Sequence, residues 1–132
     1  MASIFTKIID GEIPARFVWT DEHCVAFIDV RPLNRGHVLV VPRAEVDHWT
    51  DLETDLAAHL MGVAQRVAQA QMKLLAPTRV GLMIAGFEVP HTHLHVVPID
   101  HMEHLDFAQA DTGPDGDDLD ALAAQLSEAM KS

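Results

Sequence analysis

His91-Thr92-His93-Leu94-His95-Val96-Val97-Pro98 places three histidines two residues apart in a run of β-branched and aliphatic side chains. In an extended chain such residues share one face, so His91, His93 and His95 project to one side while Thr92, Leu94 and Val96 project to the other. Leu94 and Val96 offer that second face to a core. Imidazole has the ordinary pKa nearest neutrality, so a row of three can supply a nucleophile, a proton carrier and hydrogen-bond donors together. That combination suits phosphoryl chemistry, and packing alone rarely spends a strand face in this way. Metal binding is the second reading, since His-x-His on a strand can offer two ligands to zinc or copper with His95 completing the set. No helical His-x-x-x-His or Cys-x-x-Cys supports it, and imidazoles committed to a cation cannot also attack phosphorus.

The sequence on either side supplies partners for this strand. Phe17 to Thr20 and Cys24 to Val30, around the polar corner Asp21-Glu22-His23, predict an antiparallel hairpin. Pro32-Leu33-Asn34-Arg35-Gly36 turns the chain into a third strand, His37 to Val41, which Pro42 ends for want of an N–H. His37, Leu39 and Val41 share a face, with His37 next to the turn glycine. From Asp51 to about Leu75 the apolar residues recur at helical spacing, with Thr50 and Glu53 in capping-box positions and Pro77 beyond the end. Val80 to Ala85 reads as a fourth strand, Gly86 to Pro90 as a turn, and the histidine segment as the fifth strand. Asp111-Thr112-Gly113-Pro114-Asp115-Gly116 is turn-forming and predicts a mobile loop. Leu119, Leu122, Ala123, Leu126 and Met130 then restore a helical stripe. The expected class is α+β: a five-stranded antiparallel sheet with one long helix packed on it and a C-terminal helix.

A chain of 132 residues, 48% hydrophobic, is one domain large enough to bury a real core. No apolar run approaches the ~20 residues needed to span a bilayer, and the first residues lack the basic start and apolar centre of a signal peptide. The expectation is a cytoplasmic protein with no membrane partner. Cys24 is the only cysteine, which excludes an intramolecular disulfide and suits a small buried side chain. Nine basic against twenty acidic residues give a net charge of −11, which disfavours a nucleic acid polymer as partner. An anionic small molecule needs a locally positive pocket, and the histidine face is the candidate.

The octet resembles the signature of the histidine triad family, His-φ-His-φ-His-φ-φ with φ apolar; Leu94, Val96 and Val97 fit and Thr92 departs mildly. Further blocks match in order: Ile4-Phe5-x-Lys7-Ile8-Ile9-x-Gly11-Glu12-Ile13-Pro14-Ala15, Ala26-Phe27-x-Asp29-x-x-Pro32, Gly36-His37-x-Leu39-Val40-Val41-Pro42 and Ala85-Gly86-x-x-Val89-Pro90. The resemblance runs from about residue 3 to Pro98. Together with the turn-forming residues and the last helical stripe, it gives the expected organisation: a histidine triad domain over residues 1–105, a flexible loop over 106–116, and a helix over 117–132 completing the same domain.

By resemblance, the middle histidine, His93, attacks the α-phosphorus of a nucleotide derivative and forms a nucleotidyl-imidazole that water or another acceptor resolves. His95, His91 and His37 would orient it and hold positive charge near the non-bridging oxygens. Asp29 falls where the family accepts hydrogen bonds from the ribose hydroxyls, and Ile4, Phe5, Ile8, Phe27 and Val30 match positions enclosing the base. For these apolar residues plain core packing is an equal reading, and Asp29 could instead pair with Arg31 or Arg35. The implied substrate is a nucleoside phosphoramidate or dinucleoside polyphosphate, the product an AMP- or GMP-type nucleotide, and the assembly a homodimer joined in part by the Ala-rich helix face from Ala57 to Ala70.

Several positions depart from the pattern. Ser3 and Thr6 stand where many members carry a Cys-x-x-Cys zinc pair, so no metal is expected there, and no cofactor is implied. Phe87 and Glu88 replace Gln followed by Ser or Thr, and Gly81-Leu82-Met83-Ile84 replaces an asparagine-bearing segment. Glu88 either repels an anionic leaving group or favours a cationic amine. Three alternatives follow: a nucleotide sensor or regulator with little turnover, motivated by Phe87 and Glu88; a metal-binding protein; and a galactose-1-phosphate uridylyltransferase type, which ranks lower because His93-Leu94-His95 lacks that group's prolines and glutamine.

Overall fold

The computed structural model describes residues 2–131; Met1 and Ser132, the ends of the expected domain and terminal helix, lie outside the described residues. Five strands, β1 (Phe17–Thr20), β2 (Cys24–Ile28), β3 (Val38–Pro42), β4 (Arg79–Met83) and β5 (Leu94–Ile99), form one sheet in the order β1-β2-β3-β5-β4 with every neighbouring pair antiparallel. Three helices accompany it: α1 (Ile4–Ile9), α2 (Thr54–Leu75) and α3 (Gly116–Met130). The α+β class, the long helix and the terminal helix stand as the sequence predicts.

The period of two divides the core. Val38 and Val40 of β3, with Cys24, Ala26, Ile28, Leu94 and Val96, face α2 and α3, where Leu60, Val63, Val67, Leu122 and Leu126 close the main cluster. Leu39 and Val41 point the other way, with Val25 and Phe27, and meet Phe5 and Ile8 of α1. The histidines lie on that second face.

The structure departs from the expected elements at several places. α1 went unassigned; its Ser3 cap accepts the Thr6 N–H, and Phe5 and Ile8 give it only two buried anchors, too few for a periodic signal. Thr50 does not cap α2: Trp49–Asp51 form a 3-10 turn, and the helix starts after Glu53 with no side-chain cap bond. β2 stops at Ile28, because the Asp29 carboxylate takes the Arg31 N–H and turns the chain into Pro32. β5 begins at Leu94, since continuing its register with β3 would set Thr92 opposite Pro42, which has no N–H; Thr92 instead donates both its N–H and its hydroxyl to the Val46 carbonyl. Of the Ala57–Ala70 stretch, Ala64 and Ala70 pack within the chain's own core, while Ala58 and Met61 are exposed.

Candidate active site

The second face of the sheet carries four buried imidazoles, His37, His91, His93 and His95, each no more than 3% exposed. His95 sits opposite Leu39 in the β3–β5 ladder, so His37 reaches it from the start of β3. The ring centres are 5.2 Å apart for His37 and His95 and 4.8 Å for His93 and His95. Phe5 of α1 packs edge-on against His93 at 4.9 Å and against His91 at 5.8 Å. The shared face expected from the spacing is therefore present although His91 and His93 precede the ladder.

Backbone groups at His37, His91 and His93, and the His37 ring at His95, determine which nitrogen of each ring carries the proton. The Leu33 N–H donates to His37 Nδ1 at 3.0 Å, so neutral His37 holds its proton on Nε2 and donates it to His95 Nδ1, also at 3.0 Å. His95 is thereby left with Nε2–H. That atom is buried and has no hydrogen-bond partner among the described residues. His93 donates Nδ1–H to the His91 carbonyl at 2.7 Å, which leaves the lone pair on Nε2. His91 donates Nε2–H to the Pro42 carbonyl at 2.8 Å and accepts the Ser3 hydroxyl at Nδ1 at 2.7 Å. A lone pair on His93 and an unsatisfied N–H on its neighbour thus stand side by side.

Burial favours the neutral form of His37, His95 and His91. It pushes His37 down to about 3, aided by His95 and His93, and His95 down to about 4, aided by His93 and opposed by Glu88; His91 is lowered by the same cause. Burial also raises Asp29, against the pull of the Arg31 N–H and charge. Glu88 is raised by burial, but its own backbone N–H and the neighbouring His93 and His95 outweigh this and hold it below the usual carboxylate range.

Glu88 Oε1 lies 3.4 Å from Nε2 of both His93 and His95. The turn that carries it contains Gly86 in the left-handed region and Phe87, which is 97% exposed. Phe107 covers His95 from the other side at 5.1 Å, on a 3-10 turn of the 106–116 segment that is tied back through the Asp111 N–H to the Pro32 carbonyl. Asp29 Oδ2 lies 3.6 Å from His37 Nε2; its other oxygen takes the Arg31 N–H, and Arg35 pairs with Asp118 instead. Phe5, Ile8 and Phe27 are buried in the core beneath the site, whereas Ile4 and Val30 are exposed.

Sequence reasoning overlooked three contributors. Gln71 of α2, fully buried, donates to the carbonyls of Gly36 and Val96 at 2.8 and 2.9 Å and so fixes the chain beside His37 and His95. Its only signal is an amide among the buried positions of the α2 stripe. Glu45 and Phe107 are the others, and both reach the site from loops with no periodicity to read.

Three side-chain sets bring potential metal-ligating atoms within 4.8 Å of one another among the described residues. In Glu88, His93 and His95 the His95 Nε2 is protonated, and in Asp29, His37 and His95 the imidazole Nε2–H and Nδ1 are paired with each other. In Asp21, Cys24 and His59 one carboxylate oxygen already takes the Trp19 and His59 N–H groups, while burial and Asp21 push the thiol up to about 12. These hydrogen bonds favour proton chemistry over cation binding.

Residues 10–102 match the HIT domain. The chain belongs to the HIT family. An uncharacterised HIT-like protein of Methanocaldococcus jannaschii is 40% identical over 101 residues, covering 72% of this chain and 77% of that protein. A zinc-bound histidine triad family protein from Mycobacterium smegmatis superposes with a TM-score of 0.83 at 30% identity, over 99% of this HIT chain and 94% of that one. An adenylylsulfatase of Arabidopsis thaliana is 27% identical over 100 residues, covering 72% of this chain and 51% of that protein. Among the described residues no helix is long and apolar enough to cross a membrane.

Proposed function

We propose that this HIT protein is a nucleotide hydrolase or nucleotidyl transferase that attacks the α-phosphorus of a nucleoside phosphoramidate or dinucleoside polyphosphate through His93. The observation that carries the reading is the pairing of His93, its Nε2 lone pair directed into the site, with the unsatisfied Nε2–H of His95. In the first step the Nε2–P bond forms and the bond from phosphorus to the leaving group breaks. In the second, water attacks phosphorus, the P–N bond breaks with the lone pair returning to His93, and the water's proton is released to solvent. His95 is neutral and its Nδ1 already accepts from His37, so it donates a hydrogen bond to a non-bridging oxygen rather than a proton to the leaving group. Removing such a donor costs on the order of 3 kcal/mol of transition-state stabilisation. Asp29 is the candidate partner of the ribose hydroxyls, with exposed Ile4 and Val30 available to the base.

Glu88 favours one leaving-group class. Held as a carboxylate, it repels a departing phosphate and attracts an amine that leaves already protonated, so phosphoramidates are the preferred substrates. Its contacts with both Nε2 atoms also support the second reading, a nucleotide sensor with little turnover, because a phosphoryl group cannot reach His93 until Glu88 swings aside. A homodimer is part of the proposal. β4 is an edge strand, and half-exposed Leu82 offers an apolar contact there.

Release of nucleoside monophosphate from an adenosine phosphoramidate and from a dinucleoside polyphosphate, by metal-stripped protein with His93→Ala as control, tests these readings. Phosphoramidate turnover lost in the variant supports the nucleophile and the leaving-group preference. Cleavage of the polyphosphate alone sinks that preference, and nucleotide binding without turnover favours the sensor.

A further inference from the structure

A zinc held as by the Cys-x-x-Cys pair of many family members does not fit the side chains present at residues 3 and 6. Ser3 and Thr6 offer hydroxyls, and His91 has no free lone pair, because its Nε2–H is given to the Pro42 carbonyl and its Nδ1 takes the Ser3 hydroxyl. The four groups satisfy one another instead. Glu45 Oε1 accepts the Ser3 N–H and the Thr6 hydroxyl, both at 2.7 Å, and Ser3 Oγ accepts the Thr6 N–H at 3.0 Å while its own proton goes to His91. The Ser3 N–H first, then the Thr6 hydroxyl, hold Glu45 below the usual carboxylate range, so it is an acceptor only.

We propose that Ser3, Thr6 and Glu45 form a metal-free clasp that positions the nucleophile by holding the His91 ring in place. The Pro42 carbonyl, an acceptor only, sets Nε2–H on His91, and the Ser3 hydroxyl then donates to Nδ1 and holds the other edge of the ring. A locked His91 presents its carbonyl to His93 Nδ1–H, and that bond puts the attacking lone pair on Nε2. Ser3, Thr6 and Glu45 touch neither reacting atom. They are positioning residues, and their catalytic effect rests on the function proposed for His93.

Nitrogen-15 correlation spectra of the imidazoles at pH 7.5 report which ring nitrogen is protonated and need no turnover. The wild-type protein is expected to show His91 as Nε2–H and His93 as Nδ1–H, unchanged by one equivalent of zinc. Ser3→Ala is expected to shift the His91 Nδ1 signal, move those of His93 as the ring shifts, and lower kcat about tenfold with KM unchanged, as loss of one buried hydrogen bond allows. Ser3→Thr, which keeps the hydroxyl, restores both readouts. Glu45→Gln, read by the same spectra, replaces Ser3→Ala should that variant not fold. Wild-type His91 and His93 nitrogen shifts in Ser3→Ala, or in Glu45→Gln in its place, overturn the clasp, and so does a stoichiometric shift of the His91 nitrogens on adding zinc. Absent turnover in the wild type sinks the hydrolase reading alone, and the spectra still decide the clasp.

Discussion

The proton on each of the four site imidazoles is assigned by a neighbour: an amide N–H at His37, the His37 ring at His95, and a carbonyl at His91 and at His93. Burial depresses His37 from 6.5 to about 3, and the depressed form is the neutral one. The unfolded chain consequently binds more protons than the folded one between these values, so stability is full above about pH 6.5 and is lost as pH falls toward about 3. Thermal melts at pH 7.5, 6 and 5 are expected to show a falling Tm; a constant Tm would contradict a buried neutral His37. Glu88→Gln removes the charge beside His93 and His95 while keeping the shape. Tighter binding of nucleoside monophosphate and a shift in relative turnover toward polyphosphates are expected, both readable by calorimetry and product release. Unchanged selectivity would separate Glu88 from leaving-group choice.

At the scale of elements, the turn before β3 is the most constrained junction. Gly36 has φ of +92°, and a Cβ there would lie 2.4 Å from Leu75 Cδ1 at the end of α2. Gly36→Ala is expected to cost about 2 kcal/mol or more and to lower Tm by several degrees, and a melt equal to wild type would show that the turn can relax. The five strands, α2 and α3 were legible in the sequence because each pairs a periodic apolar face with a turn or proline at its end, as Pro42 and Pro77 do. The strand spacing also brought His91, His93 and His95 to one face. What escaped was whatever depends on contacts between distant residues: α1 is too short to show a period, Glu45 and Phe107 reach the site from loops, and Gln71 reads as a good helix former until its two carbonyl partners are seen. The histidine row also shows why side-chain direction was easier to read than pairing, since His91 and His93 keep the expected face without joining the ladder.

The whole molecule places α2 and α3 on one face of the sheet and leaves β4 as an edge beside the strand that bears His95. Light scattering tests the proposed homodimer, and a mass near the 14.5 kDa of one chain would end it. The charge of −11 lies largely on the surface, where the Arg16–Asp120 and Arg35–Asp118 pairs bind the first part of the chain to α3. Exposed pairs of this kind contribute little to stability, so added salt is expected to move Tm little compared with lowering pH. The bond between Ser3 and His91 joins residues 88 positions apart, and His95 takes its proton assignment from a residue 58 positions earlier. Such links close late in a folding chain, after the local hairpins have formed. During refolding from denaturant, native-like circular dichroism should therefore precede activity: sheet and helices return while the nucleophile still samples both of its protonation isomers, and catalytic competence is the last property the chain recovers.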